Sequence, residues 1–125
     1  MAEVLFDDIE EGLVLPSRTY TIDQQEVAAY RTSLGLPTTG EVTPTFVVLL
    51  LREMRNMLPA PPGGIHAGQQ FEFHQPMHVG DLIEVTSTVT EKYVRNGRRN
   101  VVISTEFMRD GESVTRGTAR RIWAR

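Results

Sequence analysis

The groups in this chain that could move protons are three histidines, His66, His74 and His78, and a scatter of carboxylates. His66 lies in Ile65-His66-Ala67-Gly68, where an expected helix hands over to an expected strand. A lone imidazole there reads in two ways. It is a candidate general base, because its ordinary pKa lies close to neutral pH, or it is a structural or exposed histidine without a partner. Glu41, just before the helix that starts near Thr43-Pro44, is either a lone carboxylate base or a helix-start carboxylate favoured by the macrodipole. His74 and His78 read as surface residues beside a turn. No His and carboxylate pair has metal-ligand spacing, so no metal site is expected. With no cysteine in the sequence, disulfides, Cys-ligated zinc and Cys nucleophiles are excluded.

Charge is the second feature that could bind something. The net charge is −3, but residues 1–91 carry 13 acidic and 4 basic groups, whereas residues 92–125 carry 9 basic and 3 acidic. Arg95, Arg98 and Arg99 cluster around Asn96-Gly97, a strong hairpin signal. Such a basic strand region either meets phosphates or is a solvated face that protects a sheet edge by charge. No basic motif with interleaved aromatics is present, so no nucleic-acid partner is expected.

The elements that must position these groups follow from spacing. At 125 residues the chain fits one domain, 1–125, large enough to fold around one core. Arg18 to Thr21 is a short strand candidate. Asp23 is a plausible N-cap for a helix over Gln24 to Leu34, with Val27, Tyr30 and Leu34 on one face and Gly35 as its C′ glycine. A second helix is expected from about Thr43 to Leu58, with proline in its first turn and Pro59, Pro61 and Pro62 as its stop. Its first two turns are apolar all round, as in a helix buried on most sides, while Arg52, Glu53, Arg55 and Asn56 reach solvent. The rest reads as β: Ile65 to Pro76, Leu82 to Val94, Arg99 to Met108 and Ser113 to Trp123, joined by turns at Val79-Gly80-Asp81, Asn96-Gly97 and Asp110-Gly111. Gln69 and Gln70 face opposite ways on the first of these, so one faces inward. The fold class is α+β, a long central helix wrapped by an antiparallel sheet of about five strands, because only that helix can cover the sheet's apolar face.

The N-terminus, Met1-Ala2-Glu3-Val4-Leu5-Phe6, shows neither a basic n-region nor an apolar h-region, so no signal peptide is expected. The longest apolar run, Phe46 to Leu51, is too short to span a membrane. A cytoplasmic location and no membrane partner are expected.

This order of elements resembles the hot-dog fold, and its details resemble the MaoC-like hydratase/dehydratase family, especially its N-terminal-type dehydratase domains. Tyr20-Thr21-Ile22-Asp23-Gln24-Gln25-Glu26-Val27-Ala28-Ala29-Tyr30 is similar to the family's opening strand and helix, Ser33-Leu34-Gly35 to the helix end, and Val42-Thr43-Pro44-Thr45-Phe46 to the start of the central helix. Ile65-His66-Ala67-Gly68-Gln69-Gln70-Phe71-Glu72-Phe73-His74-Gln75-Pro76, followed by Val79-Gly80-Asp81, is the best match. The resemblance covers about residues 18–123.

It implies an acyl thioester ligand carried on coenzyme A or acyl carrier protein, no resident cofactor, and a homodimer or a heterodimer with a second hot-dog subunit. By the same resemblance the N–H groups of Thr45 and Phe46 would point at the thioester carbonyl, and Pro44 cannot donate. Gln69 is a candidate polar contact to substrate, and Arg95, Arg98 and Arg99 would meet a coenzyme A phosphate or an acidic carrier face. One departure changes the reading. Active members place an Asp, and a His five residues later, just after the first helix; here those positions are Leu36 and Glu41, and seven residues separate Gly35 from Thr43. The expected function is therefore a member of the (3R)-hydroxyacyl dehydratase or enoyl-CoA hydratase group, whether a lyase or its non-catalytic partner subunit. A hot-dog acyl-CoA thioesterase using Glu41 or His66 and a pure acyl-thioester binding module are the alternatives.

Overall fold

Strand propensity and turn chemistry agree along the second half of the chain. The computed structural model describes residues 3–125, except for the side chain of Glu53; the expectations resting on Met1, Ala2 and the Glu53 side chain lie outside the described residues. Five antiparallel strands form one sheet: β1 (Arg18–Thr21), β2 (Ile65–Phe73), β3 (Leu82–Arg95), β4 (Arg98–Arg109) and β5 (Glu112–Trp123). Their order across the sheet is β1-β3-β4-β5-β2. β3, β4 and β5 form a meander whose two-residue turns place Asn96 and Gly97, then Asp110 and Gly111, at positive φ. Primed hairpin turns require that conformation at both central residues, and these sequences supply it.

Two helices complete the order: α1 (Gln24–Ser33) and α2 (Val47–Asn56). Asp23 caps α1 as expected, accepting from the Glu26 N–H. Leu36 N–H returns to Arg31 O and Gly35 N–H to Thr32 O, with Gly35 at φ +73, so the helix ends in a Schellman motif. Its buried face differs from the expectation. Leu34 is 51 % exposed, while Arg31 is buried at 6 %. The reason is the loop that follows. Arg31 turns inward to give its Nε–H to Pro37 O and its Nη1–H to Glu41 O, and a guanidinium can be buried where carbonyls satisfy its donors.

The long helix expected over 43–58 is also corrected. Pro44–Phe46 forms a single 3-10 turn, and only Val47–Asn56 is α-helical. Pro44 fixes the tight first turn, and the segment from Met57 to Pro62 runs off as turn and coil. Phe46, Val47, Leu50, Met54 and Leu58 pack with Ile83, Val85, Val89, Val101 and Phe107 in one core. The apolar early turns are not buried all round: Val48 is exposed and Leu51 half-buried. Among the described residues no helix is long and apolar enough to cross a membrane.

The N-terminal segment closes the end of the sheet away from β1. Phe6 N–H bonds Arg125 O, and Lys92 gives its ammonium to the carbonyls of Phe6 and Ile9 while lying over the Phe6 ring. At the opposite end, the Asp81 carboxylate bonds His78 N–H and Arg109, whose guanidinium also holds Pro76 O and the Gln75 side chain. The turn before β3 is thereby tied to β4.

Candidate functional site

Inward-facing residues alternate along each strand. On β5 they are Gly117, Ala119, Arg121 and Trp123; on β4, Val101, Ile103, Thr105 and Phe107. β2 is the informative strand. His66 lies opposite Arg121, Gln69 opposite Ala119 and Phe71 opposite Gly117, with a bulge between His66 and Gly68. His66 and Gln69 are three residues apart and would face opposite sides of a regular strand. The extra residue, Ala67, resets the alternation and brings both to the α2 side.

Between α2 and this face lies a cavity of about 200 Å³. Val48, Leu51 and Leu58 wall it on the helical side, and Phe71, Ile103 and Ala119 on the sheet side. Ser87 and Thr105 also reach it, but their buried hydroxyls bond each other at 2.7 Å, so they add little polarity. Gly117 leaves room for one wall: a Cβ there would come within 2.9 Å of the Phe71 ring. Arg55, His66 and Arg121 line both the cavity and an adjoining groove along Pro59, Pro61, Pro62 and Gly64. The site is thus an apolar chamber with one cationic end. Among the described residues that line it there is no carboxylate.

A model of the family described as FAS1-like, dehydratase domain region, matches residues 41–116. The chain belongs to that family. Its architecture is the hot-dog fold of MaoC-like proteins. It superimposes on the MaoC-like dehydratase from Rhodospirillum rubrum with a TM-score of 0.77 at 18 % identity, covering 96 % of each chain. R-hydratase PhaJ1 from Pseudomonas aeruginosa gives 0.77 at 20 %, covering 97 % of this chain and 86 % of that one. The HadBC (3R-hydroxyacyl-ACP dehydratase) complex from Mycobacterium tuberculosis gives 0.75 at 16 %, covering 90 % and 96 %. No curated protein matches in sequence.

Within this FAS1-like dehydratase region the residues singled out from sequence separate into three places. His66 and Gln69 line the cavity, and the Gln69 amide NH₂ is engaged by Thr118 O and Gln70 O. Glu41, Thr45 and Phe46 sit at the other end of α2, a helix about 15 Å long. Glu41 is exposed and its carbonyl holds Arg31. Thr45 accepts from the Tyr30 hydroxyl, and Phe46 is buried edge-on against the Tyr30 ring. The Phe46 N–H donates to Thr43 O, so one of the two donors expected for a carbonyl is already engaged. Arg95, Arg98 and Arg99 are exposed at the β3–β4 hairpin, Arg95 over the Tyr93 ring and Arg99 donating to Ala124 O. His66 and Glu41 therefore do not form an acid–base pair within one chain. Sequence reading missed Arg55 and Arg121 as cavity residues; Arg121 had a signal, its in-phase position with Ala119 and Trp123.

Partial burial, then the charges of Arg121 and Arg55, hold His66 below the usual imidazole range. The ring is neutral at pH 7 and able to accept a proton. The unfolded chain binds that proton more readily, so the associated stability is present above about pH 6.5 and is lost as pH falls towards the folded-state value. Thermal melts at pH 7.5 and pH 5 should show a smaller acid-induced fall in Tm for His66→Gln than for the wild type. An identical fall in both would show that His66 does not feel the two arginines.

Proposed function

We propose that this chain holds acyl thioesters of the (3R)-hydroxyacyl dehydratase or enoyl-CoA hydratase group, and does so as the substrate-binding subunit of a heteromeric dehydratase. The observation that carries the reading is the lining of the cavity: alkyl walls from Val48, Leu51, Ile103 and Ala119, and no carboxylate among the described residues around them. Adding water to an enoyl thioester needs a base for the water and an acid for the α-carbon, both within hydrogen-bond reach. Both belong to a second hot-dog subunit that carries the Asp and His whose positions here are Leu36 and Glu41.

The place for that subunit is the free edge of β2. Among the described residues this strand pairs only with β5, and it leaves Ile65 and Phe73 exposed at 56 % and 47 %. An unpaired edge with apolar side chains is covered by another strand in the assembled state. Because His66, Gln69 and Phe71 are on β2, the cavity lies beside that seam. The solved HadBC dehydratase is itself a complex, which supports the heteromeric form. Arg95, Arg98 and Arg99 offer charge to the phosphates of coenzyme A or to an acidic carrier protein.

A thioesterase is the second reading, favoured by the neutral imidazole of His66 next to the cavity, which could direct water at the thioester carbonyl. An assay of the purified chain with an enoyl-CoA separates the readings. The expected result is binding without loss of the conjugated enoyl absorbance and without thiol release, with hydration appearing when a subunit bearing the Asp/His pair is added. Hydration by the chain alone would sink the partner-subunit reading, and thiol release would establish the thioesterase.

A further inference from the structure

The cationic end of the cavity contains a donor that nothing among the described residues uses. Arg121 faces inward from β5, and its guanidinium carbon lies 4.9 Å from the centroid of the Trp123 ring. Trp123 is 2 % exposed and its indole N–H is fixed on Val4 O at 2.7 Å, so the platform under the guanidinium cannot swing away. Nη1 of Arg121 is buried and has no hydrogen-bond partner among the described residues. Other arginines of this chain are satisfied: Arg31 by two carbonyls, Arg109 by Asp81, Arg116 by Glu106 and Arg125 by Glu3. A buried guanidinium donor left unmade is costly, and a ligand atom is what would complete it.

Two further nitrogen-bearing groups surround the same point. His66 is the direct register partner of Arg121, and Arg55 in the last turn of α2 lines the same cavity and groove. Their fields reach one another: Arg55 and Arg121 both lower the His66 pKa, and Arg55, after burial, lowers that of Arg121. No carboxylate among the described lining residues offsets them. Two like charges facing an apolar chamber are held together best by an anion between them.

We propose that Arg121, Arg55 and His66 form a carboxylate-binding site at the end of the acyl cavity, selecting acyl groups that carry a free carboxylate or the corresponding free acids. The inference rests on the cavity being the acyl site. The planar fork of Arg121 matches a carboxylate bidentately, and the apolar walls match the short chain behind it. The phosphate of the pantetheine arm does not fit the same place when the acyl group fills the cavity. About a dozen bonds separate it from the thioester sulfur, a reach of roughly 15 Å at the spacing of an extended chain.

Titration calorimetry of the whole chain with glutaryl-CoA, pentanoyl-CoA and free pentanoate tests the proposal. Glutaryl-CoA should bind about tenfold more tightly than pentanoyl-CoA, as a charge-assisted bidentate pair would give. Arg121→Met should bring that ratio to about one. Arg55→Gln, on an exposed helical turn where folding is not at stake, should reduce the ratio about threefold, following the weaker hold of a single exposed charge. Pentanoate binding that depends on Arg121, without a preference between the thioesters, would also support the site and identify the free acid as its source. Equal affinity of the two thioesters, with pentanoate binding absent or indifferent to both substitutions, would overturn it. If pentanoyl-CoA binds without any carboxylate preference and pentanoate does not bind through Arg121, only this inference fails. If pentanoate binds through Arg121 and neither thioester binds, the thioester reading fails and the carboxylate site stands.

Discussion

Ala119→Phe should remove acyl-thioester binding, weakening pentanoyl-CoA by about a hundredfold or more, and leave stability within about 1–2 kcal/mol of the wild type. Ala119 faces α2 from β5, between Ile103 of β4 and Gln69 of β2. Its small side chain is what keeps the chamber open beneath Leu51. A phenyl ring placed there occupies the space an alkyl chain would need. It also gains contacts with walls that now face a void, which offsets part of the strain of adding volume to a packed interior. The loss of binding comes from exclusion rather than unfolding, so calorimetric titration and a thermal melt on the same sample separate the two. Wild-type affinity in a folded Ala119→Phe variant would mean that the acyl chain lies outside this chamber.

Arg31→Ala should cost about 2–4 kcal/mol, a large effect for a single residue in a helix. The guanidinium is nearly fully buried and crosses the loop between the two helices, from Pro37 O to Glu41 O. Removing it orphans two carbonyls and leaves a gap beneath the loop. Arg31→Lys should not restore the loss, since one ammonium on a flexible stem cannot span two acceptors held in a fork. Urea denaturation measures the change, and proteolysis within 36–41 should rise with it. A change below about 0.5 kcal/mol, the level of an ordinary surface substitution, would show that the loop does not depend on this residue. The segment held in this way is the one that carries Leu36 and Glu41. Its order therefore comes from a structural arginine.

Much of the sheet was readable because local signals and global pattern agree. Asn96-Gly97 and Asp110-Gly111 specify their turns directly, and the alternation Ile83, Val85, Ser87, Val89 fixes which face of β3 is buried. Two features were hidden for physical reasons. Helical spacing placed Leu34 on the inner face of α1, but spacing does not reveal that Arg31 has carbonyls waiting for it in a loop folded back from beyond the helix. The prolines that stop the central helix do not show that its α-helical part ends at Asn56 or that its first turn is 3-10. At the site, His66 and Gln69 could be named from composition and resemblance. That they share a face could not, because it depends on the bulge at Ala67. Arg121 is, in the sequence, one of nine basic groups in residues 92–125, and only its phase with Ala119 and Trp123 places it inside. Glu41 and His66, each a lone candidate along the sequence, lie at opposite ends of α2.

A crystal structure of the chain with a non-hydrolysable enoyl-thioether analogue of coenzyme A tests the central claim most directly. The expected result is alkyl density between Leu51 of α2 and Ala119 of β5, with the sulfur leaving the chamber at the end away from Arg55, His66 and Arg121. Acyl density elsewhere, with the chamber between α2 and the sheet still empty, would contradict it.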